Sequence, residues 1–245
     1  MSFKMNLEVM AHDIDINRNA TPSNIIKYLQ ETVDRNLKSA KPSYEDLLKQ
    51  HLSFVVSKTA VKVYKPFEEY SKITVETWAT EGRSAAFMRN YRVTSNDQII
   101  AEALMTWALL DTENHRLLRG SEFDVSSYGT GPLLEIDMPT RFRIPKDAPL
   151  EKCGEKKVMY SDIDRNLHMN NVKYFDMLFD YIPNREKVYM TSVMMNYVKE
   201  AGYEKNIEIF STPPEITQEG ETVYCFVTKI DGQTNVEARF TVKEI

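Results

Sequence analysis

Five side chains able to hydrogen-bond or move a proton fall within eight consecutive residues: Asp164, Asn166, His168, Asn170 and Asn171. They belong to the stretch Ser161-Asp-Ile-Asp-Arg-Asn-Leu-His-Met-Asn-Asn171. If this stretch is extended, alternate residues share a face, and 164, 166 and 168 point the same way. A helix is expected to start near Asn170. The first N–H groups of a helix have no intrahelical partner and carry partial positive charge, so they can polarise a carbonyl oxygen. Beside such a terminus the neutral form of histidine is favoured, which suits hydrogen bonding or base work near neutral pH. Asp and Asn before a helix are also ordinary caps and turn formers. The residues alone leave both readings open. Glu200 ends a strand-like run just before Gly202. A turn there can hold its carboxylate at a sheet edge, and an ordinary exposed charge fits the same place.

The elements that must position these groups are legible from periodicity. Residues 2–10 alternate as a strand. Thr21-Pro22 reads as an N-cap followed by proline at the first helical position. Ile25, Ile26, Leu29, Val33 and Leu37 then follow at helical spacing, and a short helix is expected over 43–50. Period two takes over in segments near 53–65, 72–80, 84–95 and 98–110, rich in Val, Ile, Thr, Tyr, Phe and Trp. The last of these is apolar on both sides, as a central covered strand would be. Seven Gly and Pro residues between Gly120 and Pro149 mark a linker.

The second half repeats the order. A strand near 154–161 leads through the polar turn to a helix with the face Val172, Phe175, Leu178, Phe179 and Ile182. Strands follow near 188–199, 205–212, 221–230 and 234–243. Asp13-Ile-Asp-Ile-Asn17 matches Asp162-Ile-Asp-Arg-Asn166, and Ile26-Lys-Tyr-Leu29 matches Val172-Lys-Tyr-Phe175. The offsets are 149 and 146 residues, which implies three extra residues in the first turn. An internal duplication follows. It predicts two α+β units, each a helix against an antiparallel sheet, able to join edge strands and hide them. The first copy has Arg18-Asn-Ala-Thr-Pro22 where the second carries its histidine. Matching Tyr70 to Tyr203 places Phe67 opposite Glu200. A reactive site therefore belongs to the second half.

Composition narrows the function classes. The chain has 245 residues, 42% hydrophobic and 27% charged, enough for one large or two ordinary packed domains. The net charge of −5 disfavours nucleic acid as a partner. No apolar run approaches the roughly 18 residues of a membrane helix. The N-terminus shows neither a signal peptide nor transit character. Cys153 and Cys225 form neither a disulfide framework nor a zinc signature, and His12, His51, His115 and His168 lack metal-ligand spacing. A reduced, cytoplasmic protein without a metal or other cofactor is expected.

Asp164-Arg-Asn-Leu-His-Met-Asn-Asn-Val-Lys-Tyr174 resembles the Asp-x-Asn-x-His-x-Asn-Asn-Val-Lys-Tyr signature of acyl-ACP thioesterases, the plant chain-terminating enzymes and their bacterial relatives. Tyr197-Val-Lys-Glu-Ala-Gly202 is similar to that family's Tyr-Arg-Arg-Glu-Cys-Gly strand, and Leu29-Gln-Glu-Thr32 and Glu76-Thr-Trp78 also look like family segments. The resemblance covers nearly the whole chain. It implies α+β architecture of two tandem hot-dog domains. On this sequence they fall over 1–120, with the acyl pocket, and 153–245, with the catalytic residues, joined by a linker over 121–152. It also implies catalytic roles for Asp164, Asn166, His168 and Glu200. The family's neighbouring Cys is Ala201 here, which argues against a cysteine nucleophile.

The implied reaction is hydrolysis of a fatty acyl-ACP thioester. A thiolate leaves readily, so a positioned water, a base and oxyanion stabilisation suffice. Glu200 would act as base toward water, with His168 as partner or proton carrier and Asn166 positioning the carbonyl or the water. Asp164 would orient the network or attack the thioester directly. Ile25, Leu29, Val33, Phe54, Trp78 and Trp107 are candidates to line the acyl slot and equally candidates for plain core. The implied partner is an acidic acyl carrier protein. Arg141, Arg143 and Lys146, or Arg83, Arg89 and Arg92, are possible contacts for it. An acyl-CoA thioesterase on the same fold, or a non-catalytic acyl-binding module, remains an alternative. Either a monomer or a homodimer fits.

Overall fold

The computed structural model of the protein describes residues 2–80, 86–114 and 116–245. The chain runs β1 (Phe3–Glu8), α1 (Pro22–Ser39), α2 (Tyr44–Lys49), β2 (Leu52–Val63), β3 (Lys72–Ala79), β4 (Phe87–Ser95), β5 (Gln98–Asp111) and β6 (Arg116–Leu118). After the Gly/Pro-rich stretch come β7 (Glu151–Lys157), α3 (Lys173–Phe179), β8 (Val188–Tyr197), β9 (Asn206–Ser211), β10 (Glu215–Ile216), β11 (Thr222–Ile230) and β12 (Gln233–Glu244). The strands form one antiparallel sheet in the order β1-β3-β4-β5-β2-β8-β12-β11-β9-β7, with β6 on β5 and β10 on β11. The order is the same when read from either end. The halves meet where β2 pairs with β8, so two strands that would otherwise be edges cover each other.

Helix α1 forms as its sequence predicts. The Thr21 hydroxyl accepts the Asn24 N–H, Pro22 occupies the first turn, and Ile25, Ile26, Leu29, Val33 and Leu37 are all buried. Each such side chain contributes roughly 1.5–3 kcal/mol on leaving water. Helix α2 starts with a capping box between Ser43 and Asp46. In β5, Ile100 to Met105 are buried without a break, so both faces are covered.

The two helices differ in length. Helix α1 has 18 residues and α3 only 7, so the second unit is not wrapped around a long helix. Pro183 explains the early stop, because proline disfavours helical backbone at the residue before it and offers no N–H. The face expected for α3 still serves the core: Val172, Phe175, Leu178 and Ile182 are buried. The helices meet across the halves. Asp176 of α3 accepts the Ser23 N–H at 2.8 Å and the Thr21 hydroxyl at 3.1 Å, so it caps α1.

The Gly/Pro-rich stretch is bonded to the outer face of the sheet. Trp78 donates from Nε1 to the Pro132 carbonyl at 2.7 Å, and the Leu134 N–H donates to Asn90 Oδ1 at 2.8 Å. Farther on, Asn196 donates to the Phe142 carbonyl at 3.3 Å. A Cβ at Gly131 would sit 2.8 Å from the Trp78 ring, so the close passage needs glycine there.

Candidate functional site

The turn between β7 and α3 folds on its own backbone. The Asp164 N–H donates to the His168 carbonyl at 2.9 Å, and the Leu167 N–H to the Asp164 carbonyl at 3.0 Å. Leu167 takes the left-handed conformation, φ 64°, that reverses the chain. Asp164 Oδ1 accepts the Asn166 N–H at 2.8 Å, an Asx turn, while its Oδ2 lies 3.5 Å from the Asn166 amide nitrogen. Below, buried Asp162 accepts the Met159 N–H at 3.0 Å and pairs with Lys156 at 2.9 Å. Burial alone would raise this carboxyl. The Met159 N–H and the charges of Lys156 and Lys173 together hold it below the usual range.

The end of β8 brings in Glu200. His168 bridges Gly202, and the Met169 N–H donates to the Ala201 carbonyl at 2.8 Å. This stitch sets His168 Nδ1 3.1 Å from Glu200 Oε2. The imidazole is half-buried and the carboxylate exposed, so one faces the protein and the other meets water. The four candidate residues thus form two side-chain pairs, Asp164 with Asn166 and His168 with Glu200, joined through the turn's backbone. The first turn of α3 is not free: Asn170 Oδ1 accepts the Val172 N–H and the Ser23 hydroxyl accepts the Asp176 N–H. The expectation that this terminus polarises a carbonyl is therefore not met at those two groups.

The first copy repeats the backbone bonds of this turn. Asp15 N–H to Asn19 carbonyl, Arg18 N–H to Asp15 carbonyl, and Asn17 N–H to Asp15 Oδ1 repeat the second turn 149 residues earlier. Arg18 repeats the left-handed φ of Leu167 at 61°. The match runs from Met10 and Met159 to Thr21 and Asn170 with no break in register. The three extra residues therefore fall at the helix start, not in the turn. Asn19 stands where His168 does. It bridges Glu68 as His168 bridges Gly202, which makes Pro66, and not Phe67, the counterpart of Glu200. The one-residue slip came from matching Tyr70 to Tyr203; the left-handed residue opposite Tyr70 is Glu204.

The turn at 159–170 leans on the first half. The Arg165 guanidinium lies 3.8 Å over the Tyr44 ring, and its charge also acts on Asp34 of α1. One residue from Asp34, Val33 starts an apolar cavity between α1 and the sheet, about 350 Å³ counting its solvent-open part. Leu37, Phe54, Phe87, Trp107 and Tyr128 are among its walls. Of the expected lining, Val33, Phe54 and Trp107 are there. Ile25 and Leu29 are core, and Ile25 borders a second cavity. Trp78 packs with Leu104 and Leu134 on the opposite face of the sheet, because strand alternation turns Thr77 and Ala79 inward and Trp78 outward.

Both halves match models of one family: residues 1–124 the acyl-ACP thioesterase N-terminal domain, and 148–244 its C-terminal domain. The chain belongs to the acyl-ACP thioesterase family. It is 24% identical over 230 residues to a palmitoyl-acyl carrier protein thioesterase of Cuphea hookeriana, covering 84% of this chain and 53% of that protein. The chain spans about half the length of the curated relatives it first matches. An acyl-ACP thioesterase structure from Bacteroides thetaiotaomicron superposes with a TM-score of 0.84 at 19% identity, covering 99% of this chain and 98% of that one. A 12:0-ACP thioesterase from Umbellularia californica gives 0.85 at 17%, covering 100% and 94%. The fold is the α+β tandem hot-dog.

Set against the family pattern, Ala201 is buried and offers only its carbonyl to the turn. Cys153 and Cys225 lie on β7 and β11, and burial pushes both thiols up, away from the reactive thiolate. Among the described residues no three His, Cys, Asp or Glu side chains are placed to share a metal. Of the two basic clusters, Arg141, Arg143 and Lys146 are exposed. The other does not form a patch. Arg89 is buried against Asn36 and Thr77 on the inner face, Arg92 pairs with Glu102 on the outer face, and Arg83 lies outside the described residues. The sequence reading also missed the Arg165–Tyr44 stack and the Asp176 cap, since neither partner is near in sequence and nothing in their periodicity marks them.

Proposed function

We propose that the chain hydrolyses the thioester of a fatty acyl group carried on acyl carrier protein, releasing the fatty acid and the carrier thiol. The observation that carries this is the 3.1 Å contact between His168 and Glu200, present in one copy of the repeat and replaced in the other by Asn19 and Pro66. Glu200 takes a proton from water as the water attacks the carbonyl carbon. The C–S bond breaks, and Glu200 gives that proton to the departing sulfur, so the carboxylate ends as it began. A proton on His168 Nδ1 donated to Glu200 fixes the ring and leaves Nε2 for the reacting atoms. Asn166 positions the water or the carbonyl. Asp164, with both oxygens turned toward Asn166, orients that amide instead of attacking.

The apolar cavity beside α1 receives the acyl chain. Exposed Arg141, Arg143 and Lys146 are the surface assigned to the acidic carrier, an attraction that salt would weaken. The test is hydrolysis of acyl-ACP, the matching acyl-CoA and a non-hydrolysable analogue side by side. Release of fatty acid from acyl-ACP is expected, with slower release from acyl-CoA. Binding of the analogue without turnover of either thioester would make the protein an acyl-binding module.

A further inference from the structure

The strand that delivers Glu200 is anchored on a β-bulge. Where β11 pairs with β12, Asn235 is the extra residue. Its carbonyl accepts both the Val198 N–H at 2.9 Å and the Lys199 N–H at 3.0 Å. The first half builds the same bulge. There Ile100 is the extra residue between β4 and β5, and its carbonyl accepts the Tyr64 N–H at 2.8 Å and the Lys65 N–H at 3.2 Å. The backbone device is common to both copies.

The side chains are not. In the second half Asn235 is fully buried, and its amide donates to the Lys199 carbonyl, one residue before Glu200. Its Oδ1 accepts the buried Thr228 hydroxyl at 2.9 Å, and Thr228 Oγ1 in turn accepts the Val236 N–H at 2.9 Å. The Tyr174 phenol of α3 is also held beside Asn235. In the first half the same two positions are Val93 and Ile100, both buried, ahead of Pro66. The fold is therefore made once with an apolar pair and once with a polar pair. Burying two polar side chains gives little net stability over apolar residues of similar shape, so folding alone does not call for them. What distinguishes the polar copy is that a carboxylate follows.

We propose that Thr228 and Asn235 are positioning residues that grip the Lys199 carbonyl and so aim Glu200 at His168. The proposal rests on the assignment of the His168–Glu200 pair to the reaction. The grip fixes the peptide between Lys199 and Glu200, whose orientation sets where the Glu200 side chain leaves the main chain. A displacement of about 1 Å at a reacting group can lower a rate by roughly 100-fold.

The test copies the first half into the second: the double variant Thr228→Val/Asn235→Ile in the full chain. It is expected to melt within a few degrees of the parent. Its kcat on acyl-ACP should fall roughly 10- to 100-fold with KM little changed, and the pH profile of kcat/KM should shift because the His168–Glu200 contact is loosened. Thr228→Ser, which keeps the hydroxyl, should retain most of the rate. Adding Glu200→Gln to the double variant should cost less than adding it to the parent. A folded double variant with parental kcat and pH profile would overturn the proposal. So would a double variant that fails to fold, since the pair would then be a structural requirement. If Glu200→Gln in the parent leaves kcat intact, the assignment of the site itself has failed.

Discussion

The turns at 10–21 and 159–170 share every backbone hydrogen bond described above and almost none of the chemistry. Asp15 and Asn17 repeat Asp164 and Asn166, down to the Asx turn at 2.9 Å and 2.8 Å. Yet Asn19 and Pro66 occupy the places of His168 and Glu200. The Asp and Asn each have a part in the turn itself, since the copy without histidine keeps them, so the positioning role proposed for Asp164 and Asn166 is added to a structural one. The histidine and the glutamate are not needed to make the turn. The comparison separates residues common to both turns from the two that differ, and it does so within one molecule.

Matched substitutions sharpen it. His168→Ala is expected to lower kcat by roughly 10²–10⁴-fold if the imidazole takes part in proton transfer, while Asn19→Ala leaves the rate unchanged. Steady-state kinetics on both, with circular dichroism to confirm folding, checks the contrast. Next in size is Asp162, whose loss removes a buried acceptor. Asp162→Ala should destabilise by about 1–3 kcal/mol in denaturant titration. Its twin Asp13 meets the Met10 N–H at a longer 3.3 Å but also accepts the Tyr28 hydroxyl at 2.9 Å, so the same change there should cost a comparable amount. Because the folded carboxyl of Asp162 is depressed, its contribution is complete above the unfolded value near about 3.9 and is lost as pH falls through the folded value. The gap between Asp162→Ala and the parent should therefore close in acid. The smallest effect concerns the cavity. Phe54→Ala should shift preference toward longer acyl chains, each further methylene being worth about 0.8 kcal/mol, roughly fourfold in relative kcat/KM.

Much of the fold was legible because it is periodic. The apolar ladder of α1, the Thr21-Pro22 start and the alternating strands identify their elements without tertiary information. The duplication was legible because two tetrads repeat in order. Other features were not, for physical reasons. The length of α3 depends on Pro183, a single residue that periodicity over 172–182 overrides. Trp78 reads equally as acyl-slot lining and as core because an aromatic strand residue looks the same from either face; only the parity of β3 and the covering Pro132–Leu134 segment decide it. Arg89 reads as surface charge because nothing local shows that it points at Asn36. In the site, the turn residues were visible as a cluster. Glu200, thirty-two positions away, was distinguishable from an ordinary turn charge only through the family resemblance.

The most direct test of the central claim, that His168 and Glu200 act as one unit, is a double-mutant cycle on kcat with acyl-ACP. His168→Ala, Glu200→Gln and the two together should each lose activity to about the same extent, the double variant being little worse than either single. Losses that simply multiply, or a folded single variant that turns over like the parent, would contradict it.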